Sequence, residues 1–154
     1  MTNGTELREI ILEILMEVTQ EKAYSHLVIR GALDKIQYYP KQDRAFINRV
    51  AEGTIERLIQ IDYVIGRYSS VKVNKMKPVI RNILRSAVYQ LLFMDSVPDS
   101  AACNEAVKLA QKKGFYSLKG FVNGVLRTIA REREKIPYPD RERQPLEYLS
   151  VMYS

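Results

Sequence analysis

The sequence contains no tryptophan, one cysteine and one histidine in 154 residues. A single thiol, Cys103, excludes an internal disulfide framework and suits a reducing compartment, so a cytoplasmic setting is expected. It sits among small residues in Ala-Ala-Cys-Asn-Glu and reads as a buried, inert thiol rather than a nucleophile. The single imidazole, His26, has no cysteine or second histidine to work with, and reads as a surface or capping group. No stretch approaches the roughly 18 apolar residues of a membrane span. The N-terminus carries Glu6, Glu9, Glu13 and Glu17, so no signal peptide is expected there. No glycine-rich phosphate loop follows a strand, and the acids are not grouped at metal-ligand spacing. These absences leave no catalytic set and no cofactor site of a recognisable type, so this chain is expected not to be an enzyme by itself.

What is present is charge of uneven distribution. The net charge is +6, but residues 1–65 hold eight Lys/Arg against ten Asp/Glu. Residues 66–94 carry Arg67, Lys72, Lys75, Lys77, Arg81 and Arg85 and no acid. The positive field is concentrated mid-chain, and phosphate is its commonest polyanionic partner. A solvated basic face without a ligand has equal weight on charge alone.

Helical periodicity dominates the chain and predicts an all-α bundle of about six or seven helices. Leu7, Ile10, Ile11, Ile14, Leu15 and Val18 define a first helix, with Thr5 as its cap. A short helix is expected over Ser25–Ile36 with Ser25 as cap. Pro40 opens a third, whose stripe is Phe46, Val50, Ile55 and Leu58. Asp62 is expected to begin a short further turn to Ile65, and Gly66–Lys77 reads as a connection. Pro78 starts the most apolar helix: Ile80, Ile83, Leu84, Ala87, Val88 and Leu91. Asp99 or Ser100 caps the next, which stops at Gly114 with Lys112 and Lys113 in its last turn. A last long helix covers about Leu118 to Glu134, with Phe121, Val122, Val125, Leu126 and Ile129 inward. From Ile136 three prolines in ten residues end the helix. We therefore divide the chain into a helical domain over 1–135 and, over 136–154, a proline-rich linker with the start of a further region.

The candidate binding residues are basic. Lys77, Arg81 and Arg85 are four apart and share one flank of the Pro78 helix. Lys72 and Lys75 lie in the loop feeding it, and a loop plus helix N-terminus suits phosphate. Lys119 and Phe121 form a base-plus-aromatic pair at the start of the last helix, with Tyr116 nearby. Such neighbours suit single-stranded RNA, whose bases stack while its phosphates pair. Core packing explains Phe121 equally well, and an exposed turn explains Tyr116.

The run Lys72-Val-Asn-Lys-Met-Lys-Pro-Val-Ile-Arg-Asn-Ile-Leu-Arg-Ser-Ala-Val-Tyr-Gln-Leu, then Val97-Pro, Asn104-Glu-Ala-Val-Lys-Leu-Ala and Phe121-Val-Asn-Gly-Val-Leu resembles the NusB family over roughly residues 5–134. The resemblance implies an all-α RNA-binding domain with two branches. One is the free-standing antitermination factor, which binds a ribosomal RNA leader with a ribosomal-protein partner. The other is the N-terminal domain of the RsmB/Sun ribosomal RNA methyltransferases. Those make 5-methylcytosine in 16S ribosomal RNA, with S-adenosylmethionine held in a C-terminal domain. The N-terminal helix lacks the arginine-rich start of the antitermination branch, and a proline-rich segment followed by Leu146-Glu-Tyr-Leu-Ser-Val-Met-Tyr-Ser resembles the methyltransferase branch. The resemblance also places Lys119 and Phe121 near RNA, and marks Asn104 and Glu105 as a structural pair.

The reading is thus a non-catalytic RNA-binding domain that positions substrate for an rRNA methyltransferase. Its expected partners are ribosomal RNA, its own C-terminal methyltransferase domain, and a ribosomal protein or second copy; no membrane is expected. The antitermination factor is the first rival. An intramolecular packing or dimerisation module is the second.

Overall fold

Asn3, rather than Thr5, starts the first helix: its side-chain oxygen accepts the Glu6 N–H at 2.9 Å. Thr5 is the second residue of the helix, and its hydroxyl donates to Glu105 instead. The computed structural model describes residues 3–139 and 144–152. Eight α-helices lie within them: α1 Gly4–Gln20, α2 Ser25–Asp34, α3 Lys41–Glu56, α4 Leu58–Tyr68, α5 Pro78–Phe93, α6 Asp99–Lys112, α7 Lys119–Glu132 and α8 Pro145–Met152. Single 3-10 turns occupy Val73–Lys75, Tyr116–Leu118 and Arg133–Lys135.

Several boundaries differ from expectation for local reasons. Ser25 is inside α2, whose N-cap is Tyr24. Asp62 lies in the middle of α4 rather than at the start of a turn, because an aspartate with an ion partner is stable inside a helix. The inward face of α3 is Ile47, Val50, Ala51, Gly53 and Thr54; of the expected stripe Val50 is buried there, Phe46 and Ile55 are only half-buried, and Leu58 opens α4. Neither Asp99 nor Ser100 caps α6, whose N-cap is Pro98; Asp99 is held by Arg133 instead. Gly114 does end α6 as expected. At φ +90° it closes the helix with Gly114 N–H to the Gln111 carbonyl and Phe115 N–H to the Ala110 carbonyl, the paired bonds of a left-handed C-terminal cap.

α5 is the centre of the core and packs on α1, α3, α4, α6 and α7. Its apolar stripe is buried as the periodicity requires, with Leu84 and Val88 fully enclosed. Its buried polar residues fix how α1 lies on it. Arg8 Nε donates to Gln90 Oε1 at 2.9 Å, and Asn82 Nδ2 donates to Thr19 Oγ1 at 3.1 Å. The first helix start therefore meets the fifth helix end, and the pair is antiparallel. Burial lowers the Arg8 pKa, and the charge of Glu105 opposes that shift.

The segment after α7 lies along α4. The Tyr63 hydroxyl donates to the Pro137 carbonyl, and the Tyr63 and Tyr138 rings stack at 6.0 Å. Ile136 and Pro139 are buried. α8 packs on α4, with Val151 buried. Residues 140–143 of the expected linker lie outside the described residues.

Candidate nucleic-acid interface

Helix directions decide which loops meet. α6 and α7 are antiparallel: Arg133 reaches Asp99 and the Leu91 carbonyl, while Arg127 reaches Asn104. α5 and α6 are joined by a short turn at the Arg133 end. The end of α6 lies at the start of α1, where Lys112 and Lys113 reach Glu9 beside Arg8, whereas the N-terminus of α5 lies toward the end of α1, where Asn82 meets Thr19. The candidate residues therefore form two groups, Lys72, Lys75 and Lys77 on the loop before α5, and Tyr116 and Lys119 on the turn between α6 and α7.

The basic residues of the α5 end divide into two kinds. Lys72, Lys75 and Lys77 are exposed, and no ion pair among the described residues holds them. Arg81 turns back onto the loop, donating from Nε to the Val73 carbonyl at 3.0 Å and from Nη2 to the Met76 carbonyl at 2.9 Å. It shapes the loop that presents the lysines. Arg85 departs furthest from a shared basic flank. It is buried, with Nε and Nη2 bonded to the two Asp62 oxygens at 2.8 and 2.7 Å and Nη1 to Asn82 Oδ1 at 3.0 Å. Its flank faces α4, so its charge is neutralised inside the protein.

The α6–α7 end is equally specific. Lys119 Nζ donates to the Tyr116 hydroxyl at 2.8 Å and lies 4.0 Å from its ring centroid. The hydrogen bond from Lys119 lowers the Tyr116 pKa. Tyr116 is 63% exposed, so an aromatic face and a cation are offered together. Phe121 is half-buried against the core, which makes Tyr116 the accessible ring of the two.

Beside them runs a groove of about 490 Å³ between α6 and α7. Asn104, Val107, Lys108 and Gln111 form one wall, and Lys119, Gly120, Asn123 and Arg127 the other. Arg127 is held across it, donating to Asn123 Oδ1 at 3.1 Å and Asn104 Oδ1 at 2.8 Å. Gly120 and Gly124 are exposed, and a Cβ at either would meet nothing within 4 Å. Of the two only Gly120 lines the groove, where it leaves that wall bare. Sequence reasoning missed Lys108, Gln111 and Arg127. The polar spacing of 104, 108 and 111 on α6 and of 119, 123 and 127 on α7 was the available signal.

Among the described residues no group of three or more His, Cys, Asp or Glu is placed to hold a metal ion. Burial raises the Cys103 thiol pKa, as expected for an inert core cysteine. No described helix is long and apolar enough to cross a membrane.

An all-α bundle with a lysine loop, an exposed tyrosine–lysine pair and an amide-and-base groove is the class of fold these features define. The NusB family pattern matches residues 5–131, and the chain belongs to the NusB family. It is 34% identical over 147 residues to the probable ribosomal RNA small subunit methyltransferase B of Bacillus subtilis (strain 168), covering 96% of this chain and 32% of that protein. It thus spans about a third of that relative's length. It is 30% identical over 135 residues to the transcription antitermination protein NusB of Thermodesulfovibrio yellowstonii, covering 81% of this chain and 89% of that protein. The solved structure of T. maritima NusB superposes with a TM-score of 0.76 at 30% identity, over 85% of this chain and 92% of that one.

Proposed function

We propose that this chain is the RNA-binding, substrate-positioning domain of a small-subunit ribosomal RNA cytosine-5 methyltransferase. Lys72, Lys75 and Lys77 pair with phosphates, Tyr116 stacks on a base, and the amides of the α6–α7 groove take base edges. Arg81 and Phe121 hold these groups in place rather than touching RNA. Binding energy gathered here orients the RNA for methyl transfer elsewhere. Methyl transfer and its S-adenosylmethionine are assigned to a further domain, and no residue of this chain is assigned to that cofactor.

The observation that carries the branch is coverage. The match to the B. subtilis methyltransferase spans 96% of this chain and so reaches into the segment after residue 135, whereas the family pattern ends at 131. The second reading, an antitermination factor, is supported by the T. yellowstonii NusB, of which this chain covers 89%. The test is complementation by the gene that encodes this chain. Restored 5-methylcytosine in a strain lacking its small-subunit rRNA methyltransferase supports the first reading. Restored transcription readthrough in a strain lacking NusB, without methylation, assigns the second.

A further inference from the structure

We propose that the groove between α1 and α2 docks a basic, amphipathic helical segment of a protein partner. This groove of about 400 Å³ lies on the α1–α2 face, apart from the α6–α7 groove. Its floor is aliphatic: Ile10 and Ile14 from α1, Val28 and Ile36 from α2. Leu27 stands at its edge 55% exposed, an apolar side chain left in water beside an apolar floor.

Two independent features specify the occupant. Glu13 and Glu17 rim the α1 side, four residues apart on one face. Both are exposed, and no ion pair among the described residues engages them. The next acid along that helix, Glu9, shows what such a rim accepts: it takes Lys112 and Lys113, each at 2.6 Å. The second feature is Gly31, in the middle of α2 on the opposite wall. Glycine is the poorest ordinary helix former, so a mid-helix glycine calls for a reason. None is internal: Gly31 is exposed, and a Cβ there would meet nothing within 4 Å. A bare backbone beside an aliphatic floor lets a second helix approach closely, and the glutamates then meet its lysines or arginines. An amphipathic helix laid in an apolar groove is a recurrent recognition mode. RNA is disfavoured because Glu13 and Glu17 outnumber Lys35, the one cation among the lining residues.

The test uses the whole chain and a short fluorescent peptide of leucine and lysine at amphipathic helical spacing, followed by anisotropy. Binding should weaken roughly tenfold or more in Gly31→Leu and in the Glu13→Lys/Glu17→Lys double variant. The thermal midpoint of Gly31→Leu should not fall, since the new side chain enters open space. The control is Glu52→Lys/Glu56→Lys, which removes acids from the neighbouring α2–α3 groove and should leave binding within a factor of about two. Equal weakening by that control would reduce the effect to general acidic attraction and overturn the proposal. So would unchanged binding in Gly31→Leu, or displacement of the peptide by single-stranded RNA.

Discussion

Arg85 on α5 grips Asp62 on α4 through two parallel hydrogen bonds of 2.8 and 2.7 Å. The third donor, Nη1, is taken by Asn82. A residue that reads as part of a phosphate-binding flank is therefore a strut between two core helices. Removing one partner of such a pair strands the other, although Asp62 keeps 28% of its side-chain surface in water. Arg85→Ala should destabilise the fold by about 2–3 kcal/mol, below the full penalty for a wholly buried pair, as read by urea unfolding. RNA affinity of the remaining folded protein should be unchanged. A selective drop in RNA affinity at unaltered stability would return Arg85 to the interface.

The reverse pattern is expected for the lysine loop. Replacing Lys72, Lys75 and Lys77 by Glu should leave the unfolding midpoint nearly unchanged, because these side chains are exposed. RNA affinity should fall, and the slope of log affinity against log salt should shrink by about 0.7 for each single-strand phosphate that is no longer neutralised. Arg81→Ala should act differently, lowering affinity by loosening the Val73–Met76 turn. Its signature is raised amide hydrogen exchange in that turn.

The fold was largely legible and the interface only partly so. Pro78 and Gly114 act through their own backbone preferences, so α5 and the end of α6 stand where the sequence puts them. The α5 stripe is buried because the 3.6-residue period leaves no other face. What a single helix cannot report is which distant residue faces it. Asp62 is 23 positions from Arg85, and when Asp62 is taken to start a separate turn, nothing ties the two together. Asn104 and Arg127, also 23 apart, form a groove only once α6 and α7 are antiparallel. Thr5 is drawn from capping to a tertiary bond because Asn3, two residues earlier, already fills the cap.

Tyr89 lies directly against Gly53 of α3. A Cβ at that glycine would collide with the ring carbons and the hydroxyl, and Tyr89 is only 8% exposed and packed on Phe93. Gly53→Ala should therefore destabilise by about 1–3 kcal/mol, the range for overpacking a close contact, despite the better helix propensity of alanine. Tyr89→Leu in the same chain should recover part of that deficit, so a double-mutant cycle should show coupling.

Glu9 bridges α1 to the last turn of α6. The hydrogen bond from Lys112, then that from Lys113, lowers its pKa. A carboxylate whose folded pKa is depressed stabilises fully above its unfolded pKa, and that contribution disappears as pH falls through the depressed value. Glu9→Gln should reduce stability slightly at neutral pH and not at strongly acid pH, with the difference screened by salt. Equal destabilisation at both extremes would mean that packing, not charge, is at stake.

Gly120 keeps the groove wall bare without any internal need for it, while Gly124 faces open space outside the groove. Gly124→Ala should raise stability by up to about 1 kcal/mol, since alanine favours the helix. Gly120→Leu should fold normally yet weaken RNA binding, a separation of stability from affinity that thermal melts and RNA titrations measure together.

The most direct measurement is a titration of the labelled chain with a single-stranded fragment of small-subunit ribosomal RNA, followed by backbone amide shifts. The proposed interface should concentrate the shifts at Lys72–Lys77, Asn104–Gln111 and Tyr116–Arg127, and they should fade as salt is raised. Shifts centred on α2 and α3, or none at salt low enough for phosphate pairing, would contradict it.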